Sequence, residues 1–80
     1  MNVTVFWKHP YHGEGNFMVD AISAESAGRE ASESLPSDLA EDGEEADELD
    51  LSLIKDDLDI EVWEGSHSSR PDRPADYVFA

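Results

Sequence analysis

The sequence contains no cysteine. A disulfide framework is excluded, and so is any zinc or iron–sulfur site held by thiolates. Bases are scarce as well. Five Lys and Arg stand against twenty Asp and Glu in 80 residues, a formal charge of −15. Direct binding to nucleic acid is nearly excluded, because phosphates would repel such a chain. An anionic membrane surface is disfavoured for the same reason. No apolar run approaches the roughly eighteen residues a membrane span needs. The start, Met1-Asn2-Val3-Thr4-Val5, lacks the basic flank and apolar stretch of a secretory signal. The expected compartment is the cytoplasm. Large apolar residues are few: Leu, Ile, Val and Phe total 17 of 80, near the level of about 20% below which a highly charged chain stays disordered. Two Trp, two Tyr and three Phe favour a fold, since disordered chains are poor in aromatics. The length allows one small acidic domain, residues 1–80, of modest stability.

What is present is acid, and it is unevenly spread. Residues 1–37 carry five acids and two bases, net −3. Residues 38–64 carry thirteen acids and one base, net −12. Residues 65–80 carry two acids and two bases, net zero. The charge is a block rather than a sprinkling.

Around this block the apolar pattern predicts an α+β fold: a small antiparallel sheet of three to four strands with one or two helices packed on one face, in the order β-β-α-(α)-β-β. Asn2 to Lys8 reads as a strand with apolar groups on both faces, hence a central one. His9 to Asn16 reads as a loop and Phe17 to Ala21 as the second strand of a hairpin. Ser23 looks like a helix N-cap, with Glu25 in the first turn. Ala24, Ala27, Ala31 and Leu35 share one face, thin enough to lie close to a sheet, and Pro36 is expected to stop the helix. Residues 38–50 are open between helix and loop, with a short helix across about 47–56 favoured. In Asp57 to Glu64, Leu58, Ile60 and Val62 alternate with Asp57, Asp59 and Glu61, the pattern of a half-buried strand, with Trp63 on the acidic face. Gly65 to Pro74 reads as a polar loop and Ala75 to Ala80 as a last strand. Val5, Phe6, Trp7, Phe17, Val19, Leu58, Ile60 and Val62 are the expected core.

Several motifs offer chemistry weakly. His9 and His12 have an H-x-x-H spacing, with His67 as a third candidate ligand. The glutamate-bearing helix motif is absent, so exposed loop histidines are the simpler reading. Asp57-Leu58-Asp59-Ile60-Glu61 opens like a calcium loop, but Val62 stands where the turn glycine is needed. Gly65-Ser66-His67-Ser68-Ser69 puts hydroxyls beside a histidine without the strand–turn–helix pattern of a nucleophile elbow. Arg70-Pro71-Asp72-Arg73-Pro74 contains P-x-x-P, more simply a stiff loop whose bases pair with the acidic block. No catalytic set, cofactor or metal is expected, and the chain is read as non-enzymatic.

The specific feature is the block. On a strand, Asp57, Asp59 and Glu61 would point one way, about 6.6–6.8 Å apart. On a helix, acids three or four apart lie about 5–6 Å from one another. These spacings are comparable to those between phosphates on a DNA strand. In size, charge density and the run Asp38–Glu64, the chain resembles the small acidic proteins by which phages and mobile elements disarm host nucleases: DNA-mimicking inhibitors of restriction enzymes, CRISPR effectors and uracil-DNA glycosylase. The resemblance carries no motif and transfers no residue roles. It implies an inhibitor, monomer or dimer, acting in the host cytoplasm on a basic nucleic-acid-binding protein, a nuclease or CRISPR effector complex. On the charge alone, contact with neither nucleic acid nor membrane is expected. The candidate partner-binding residues are Asp38, Glu41, Asp42, Glu44, Glu45, Asp47, Glu48, Asp50, Asp56, Asp57, Asp59, Glu61, Trp63 and Glu64, Trp63 serving as an apolar anchor or as plain core. The alternative is an acidic housekeeping domain of a salt-loving organism, which the presence of only two lysines, Lys8 and Lys55, fits.

Overall fold

The computed structural model describes residues 1–39 and 53–79. Two long strands open the chain, β1 (Asn2–His9) and β2 (Gly13–Asp20). Helix α1 (Ala24–Leu39) follows, and then β3 (Asp59–Glu64) and β4 (Tyr77–Phe79). The strands form one antiparallel sheet in the order β2-β1-β3-β4. The α+β architecture and the central place of β1 are as the sequence predicts. Residues 53–56 are helical, within the short helix expected at 47–56, whose earlier part lies outside the described residues.

The hairpin is tighter than the loop expected at 9–16, because a side chain closes it. His9 Nδ1 accepts hydrogen bonds from the backbone N–H of Tyr11, at 3.1 Å, and of His12, at 3.3 Å. Gly13 then takes φ 88°, in the left-handed region that glycine adopts freely. The ladder starts at once, with His9 opposite Gly13. The second strand therefore begins four residues before Phe17.

Ser23 caps α1 as expected: its Oγ accepts from the Ser26 N–H at 3.1 Å, and its carbonyl accepts from Ala27 at 3.1 Å. Ala24, Ala27, Ala31 and Leu35 are buried against the sheet. Gly28 marks the closest approach, where a Cβ would overlap the ring of Tyr77 on β4. Pro36 does not stop the helix, which runs on to Leu39 with Pro36 inside it. Its ring is buried, and the missing N–H falls in the final turn, where the helix forgoes one bond while the ring gains packing.

Val3, Val5, Leu58, Ile60 and Val62 are the deepest members of the core between helix and sheet. Trp7, Phe17, Val19, Tyr77 and Phe79 pack at its margin. The third strand starts at Asp59 rather than Asp57. The N–H of Asp57 bonds the Ile54 carbonyl at 3.3 Å, and that of Leu58 bonds Lys55 at 3.2 Å. Residues 57 and 58 thus close the preceding helical turn. The last strand likewise starts later than Ala75, at Tyr77, and runs over Tyr77–Phe79, with Ala80 outside the described residues.

Candidate protein-interaction surface

The sheet face away from α1 carries the polar and acidic side chains, and part of it is roofed. Thr4 and Phe6 on β1 and Trp63 on β3 are buried there. The rings of Phe6 and Trp63 meet edge to face, with centroids 5.4 Å apart, a geometry worth about 0.5–1.5 kcal/mol beyond burial. The segment after β3 folds back over them. Thr4 Oγ1 donates to the Gly65 carbonyl at 2.7 Å and accepts from the His67 N–H at 3.1 Å. Trp63 Nε1 donates to the Arg73 carbonyl at 3.0 Å. Arg70 sets its guanidinium 5.4 Å from the Phe6 ring centroid and donates from Nε to Glu61 at 3.0 Å. The stiff Arg-Pro loop is thus a cover for a second apolar cluster.

Asp76 pins the far end of that cover. Its Oδ2 accepts the Glu64 N–H at 2.7 Å, and its Oδ1 takes a bond from Arg73 at 3.1 Å. The backbone donor at Glu64 holds its carboxyl below the usual 3.8, with Arg73 acting in the same direction.

The candidate partner-binding acids divide into three groups. Glu41, Asp42, Glu44, Glu45, Asp47, Glu48 and Asp50 lie outside the described residues. Asp38 at the end of α1, Asp56 and Asp57 at the helical turn, and Asp59 and Glu64 on β3 are exposed. Glu61 is half-buried and ion-paired with Arg70. The expected row Asp57–Asp59–Glu61 is not formed, because Asp57 belongs to the turn. Asp59 and Glu61 do share a face, which continues into Trp63. That face also holds cations: Lys8 is in register with Asp59 on one side and Glu14 on the other. Trp63 is 3% exposed, beneath the chain's own loop. It is a core residue of the second cluster and offers no exposed anchor.

The histidines do not converge. The His9 and His12 rings lie tilted against each other, with centroids 4.7 Å apart. His67 bonds the Glu64 carbonyl at 2.8 Å, at the opposite end of β1. His9 Nδ1 is already engaged by two backbone N–H groups of the turn. The spacing serves the turn. Among the described residues no group of three or more His, Asp or Glu is placed to hold a metal ion. No helix among them is long and apolar enough to cross a membrane.

Sequence reasoning missed the acidic outer face of α1. Glu25, Glu30 and Glu33 are exposed there, with Arg29 bonded to Glu25 at 3.4 Å. The helical spacing of these acids was available in the sequence but was overshadowed by the denser block.

Fold and surface together define a small acidic α+β protein, its sheet backed by a helix on one face and by a folded-back loop on the other. Comparison with known protein families, with curated proteins and with solved structures finds no match.

Proposed function

We propose that the chain is a non-enzymatic inhibitor that mimics the negative charge of DNA and occupies the nucleic-acid groove of a host defence or DNA-processing protein, such as a restriction enzyme or CRISPR effector. The observation that carries this reading is the concentration of net −12 in residues 38–64. Carboxylates at such density repel one another, and like charges at helical spacing destabilise by a few tenths of a kcal/mol (about 0.2–0.5) per pair. A chain that retains them against its own stability gains from them elsewhere. Exposed Asp56, Asp57 and Asp59 support the reading, since they sit where the acidic block enters the sheet. Opposed charge would speed association with a basic groove and make it sensitive to salt. On this reading the protein works in the cytoplasm of an infected cell and is encoded by a phage or mobile element.

The test is neutralisation. Changing Asp56, Asp57 and Asp59 together to Asn leaves the core untouched and should weaken binding to the partner at least tenfold while preserving the melting temperature. Unchanged affinity in a folded triple variant would place binding elsewhere.

A second reading has one observation in its favour. The five acids of residues 1–37, Glu14, Asp20, Glu25, Glu30 and Glu33, are all exposed, as expected of a domain adapted to high salt. Such a domain unfolds as salt is withdrawn, whereas the inhibitor is folded in dilute buffer. A melting series from molar to millimolar salt separates the two.

A further inference from the structure

The sheet ends on one side in a long strand whose outer edge meets no strand among the described residues. In β1–β2 pairing, Met1 and Ala21 exchange both backbone bonds, at 2.9 Å each. Bonded and non-bonded pairs alternate along an antiparallel ladder. The odd-numbered residues of β2 therefore bond to β1, in register from Val19 opposite Val3 to Gly13 opposite His9. The even-numbered ones, Glu14, Asn16, Met18 and Asp20, turn their N–H and C=O groups outward. All four are exposed.

Natural sheets usually blunt such an edge with proline, a bulge or charged side chains, lysine above all, and the acids of β2 guard it against acidic strands but not basic ones. β2 contains no proline and no lysine, and it pairs with β1 without a bulge over its full eight residues. Its open-face side chains are two acids, Glu14 and Asp20, flanking Asn16 and Met18. Lys8 stands opposite Glu14, and the Met1 amino group lies 3.0 Å from Asp20 Oδ1. These cations relieve part of the local charge, but the molecule as a whole keeps −15.

We propose that the β2 edge accepts an extended segment of a basic partner as a fifth strand. Backbone bonds to the four outward residues would supply affinity, and side-chain positions would supply selection. In antiparallel pairing the incoming strand meets Asp20, Met18, Asn16 and Glu14 at alternate positions. The chemistry that fits is a base, then an apolar residue two positions on, then a second base six positions after the first, about 20 Å away. A second copy of this chain does not fit: self-pairing would bring two bodies of −15 together and set acid beside acid. The proposal does not rest on the DNA-mimic reading, because it concerns a different edge and a backbone-directed contact.

The probe is the peptide Lys-Val-Ile-Val-Thr-Thr-Lys, titrated into the isotopically labelled protein and followed by amide shifts and hydrogen exchange. The expected result is saturable binding with new protection at Glu14, Asn16, Met18 and Asp20. Replacing both lysines of the peptide by Glu should weaken binding more than tenfold. Met18→Pro removes an outward N–H without touching the β1 ladder and should do the same. Should that variant fail to fold, methylating the peptide's own inward-facing amide nitrogens supplies the equivalent block on an unaltered protein. The proposal is overturned if no saturation is reached by millimolar peptide, or if the Glu peptide binds as well. It is also overturned if binding survives both blocks, or if the protein dimerises through β2.

Discussion

Glu61 and Arg70 are joined by a 3.0 Å hydrogen bond from guanidinium to carboxylate, so one acid of the charged block is already answered within the chain. The same Arg70 covers the Phe6 ring. The pair is over a third exposed, and such contacts contribute only about 0–1 kcal/mol to folding. Arg70→Ala should therefore lower stability slightly, by about 1 kcal/mol including lost packing of its stem. If the block engages a basic partner, the same substitution frees Glu61 and should tighten that binding and steepen its salt dependence. Denaturant melts and binding at two salt concentrations check both outcomes.

Gly28 faces the Tyr77 ring with no room for a Cβ. Gly→Ala within a helix ordinarily stabilises by up to about 1 kcal/mol. Here Gly28→Ala should destabilise by about 1–3 kcal/mol, as overpacking does. Combining it with Tyr77→Ala should recover part of the loss, a coupling that a double-mutant cycle in urea would read directly.

His9 closes the hairpin through Nδ1 while its Nε2 is buried with no hydrogen-bond partner. His9→Ala removes two turn bonds and should cost about 1–2 kcal/mol. His9→Asn, whose side-chain oxygen can accept the same N–H groups, should retain more of the stability. Thermal melts of the two variants decide the order, and equal loss in both would mean that ring packing, not the turn bonds, matters.

Asp76 has a folded pKa below its ordinary value of 3.8, first because its carboxylate accepts the Glu64 N–H. A depressed carboxyl pKa stabilises the fold above the unfolded value, and the contribution disappears as pH falls through the folded value. The loop cover over Phe6 and Trp63 should thus be fully pinned above about pH 4 and loosen below 3.8. A carboxyl-detected titration should find Asp76 ionising below its ordinary 3.8, and Trp63 fluorescence should change over the same acid range. In Asp76→Asn that acid transition should shrink.

Much of the fold was legible because it rests on short-range pattern. Alternation placed β1 and the buried face of β3, and the Ser23 cap with its alanines placed α1. The misses are places where a specific side-chain or backbone bond, or the burial of a ring, overrode local propensity. His9 replaced a longer loop by bonding two backbone N–H groups. Burial of the Pro36 ring carried the helix past a breaker. Leu58 was rightly read as buried, but the bond from its N–H to Lys55 put it in a turn. For the candidate surface, exposure of Asp56, Asp57 and Asp59 followed from composition. For Trp63 the sequence left anchor and core both open, because the cover that decides between them comes from residues up to Arg73, ten positions away. The open edge of β2 was invisible, since strand order is a property of long-range pairing rather than of pattern.

The central claim, that charge mimicry of DNA drives binding, is tested most directly by competition. A nucleic-acid-binding protein recovered from the natural host on this chain would be titrated with it at 50 and 200 mM salt, with and without duplex DNA. Loss of several phosphate-like contacts predicts an affinity drop of about 10³-fold or more over that range for six or more contacts, together with mutual exclusion between the protein and DNA. Affinity that hardly changes with salt, or a ternary complex in which DNA stays bound in its groove, would contradict it.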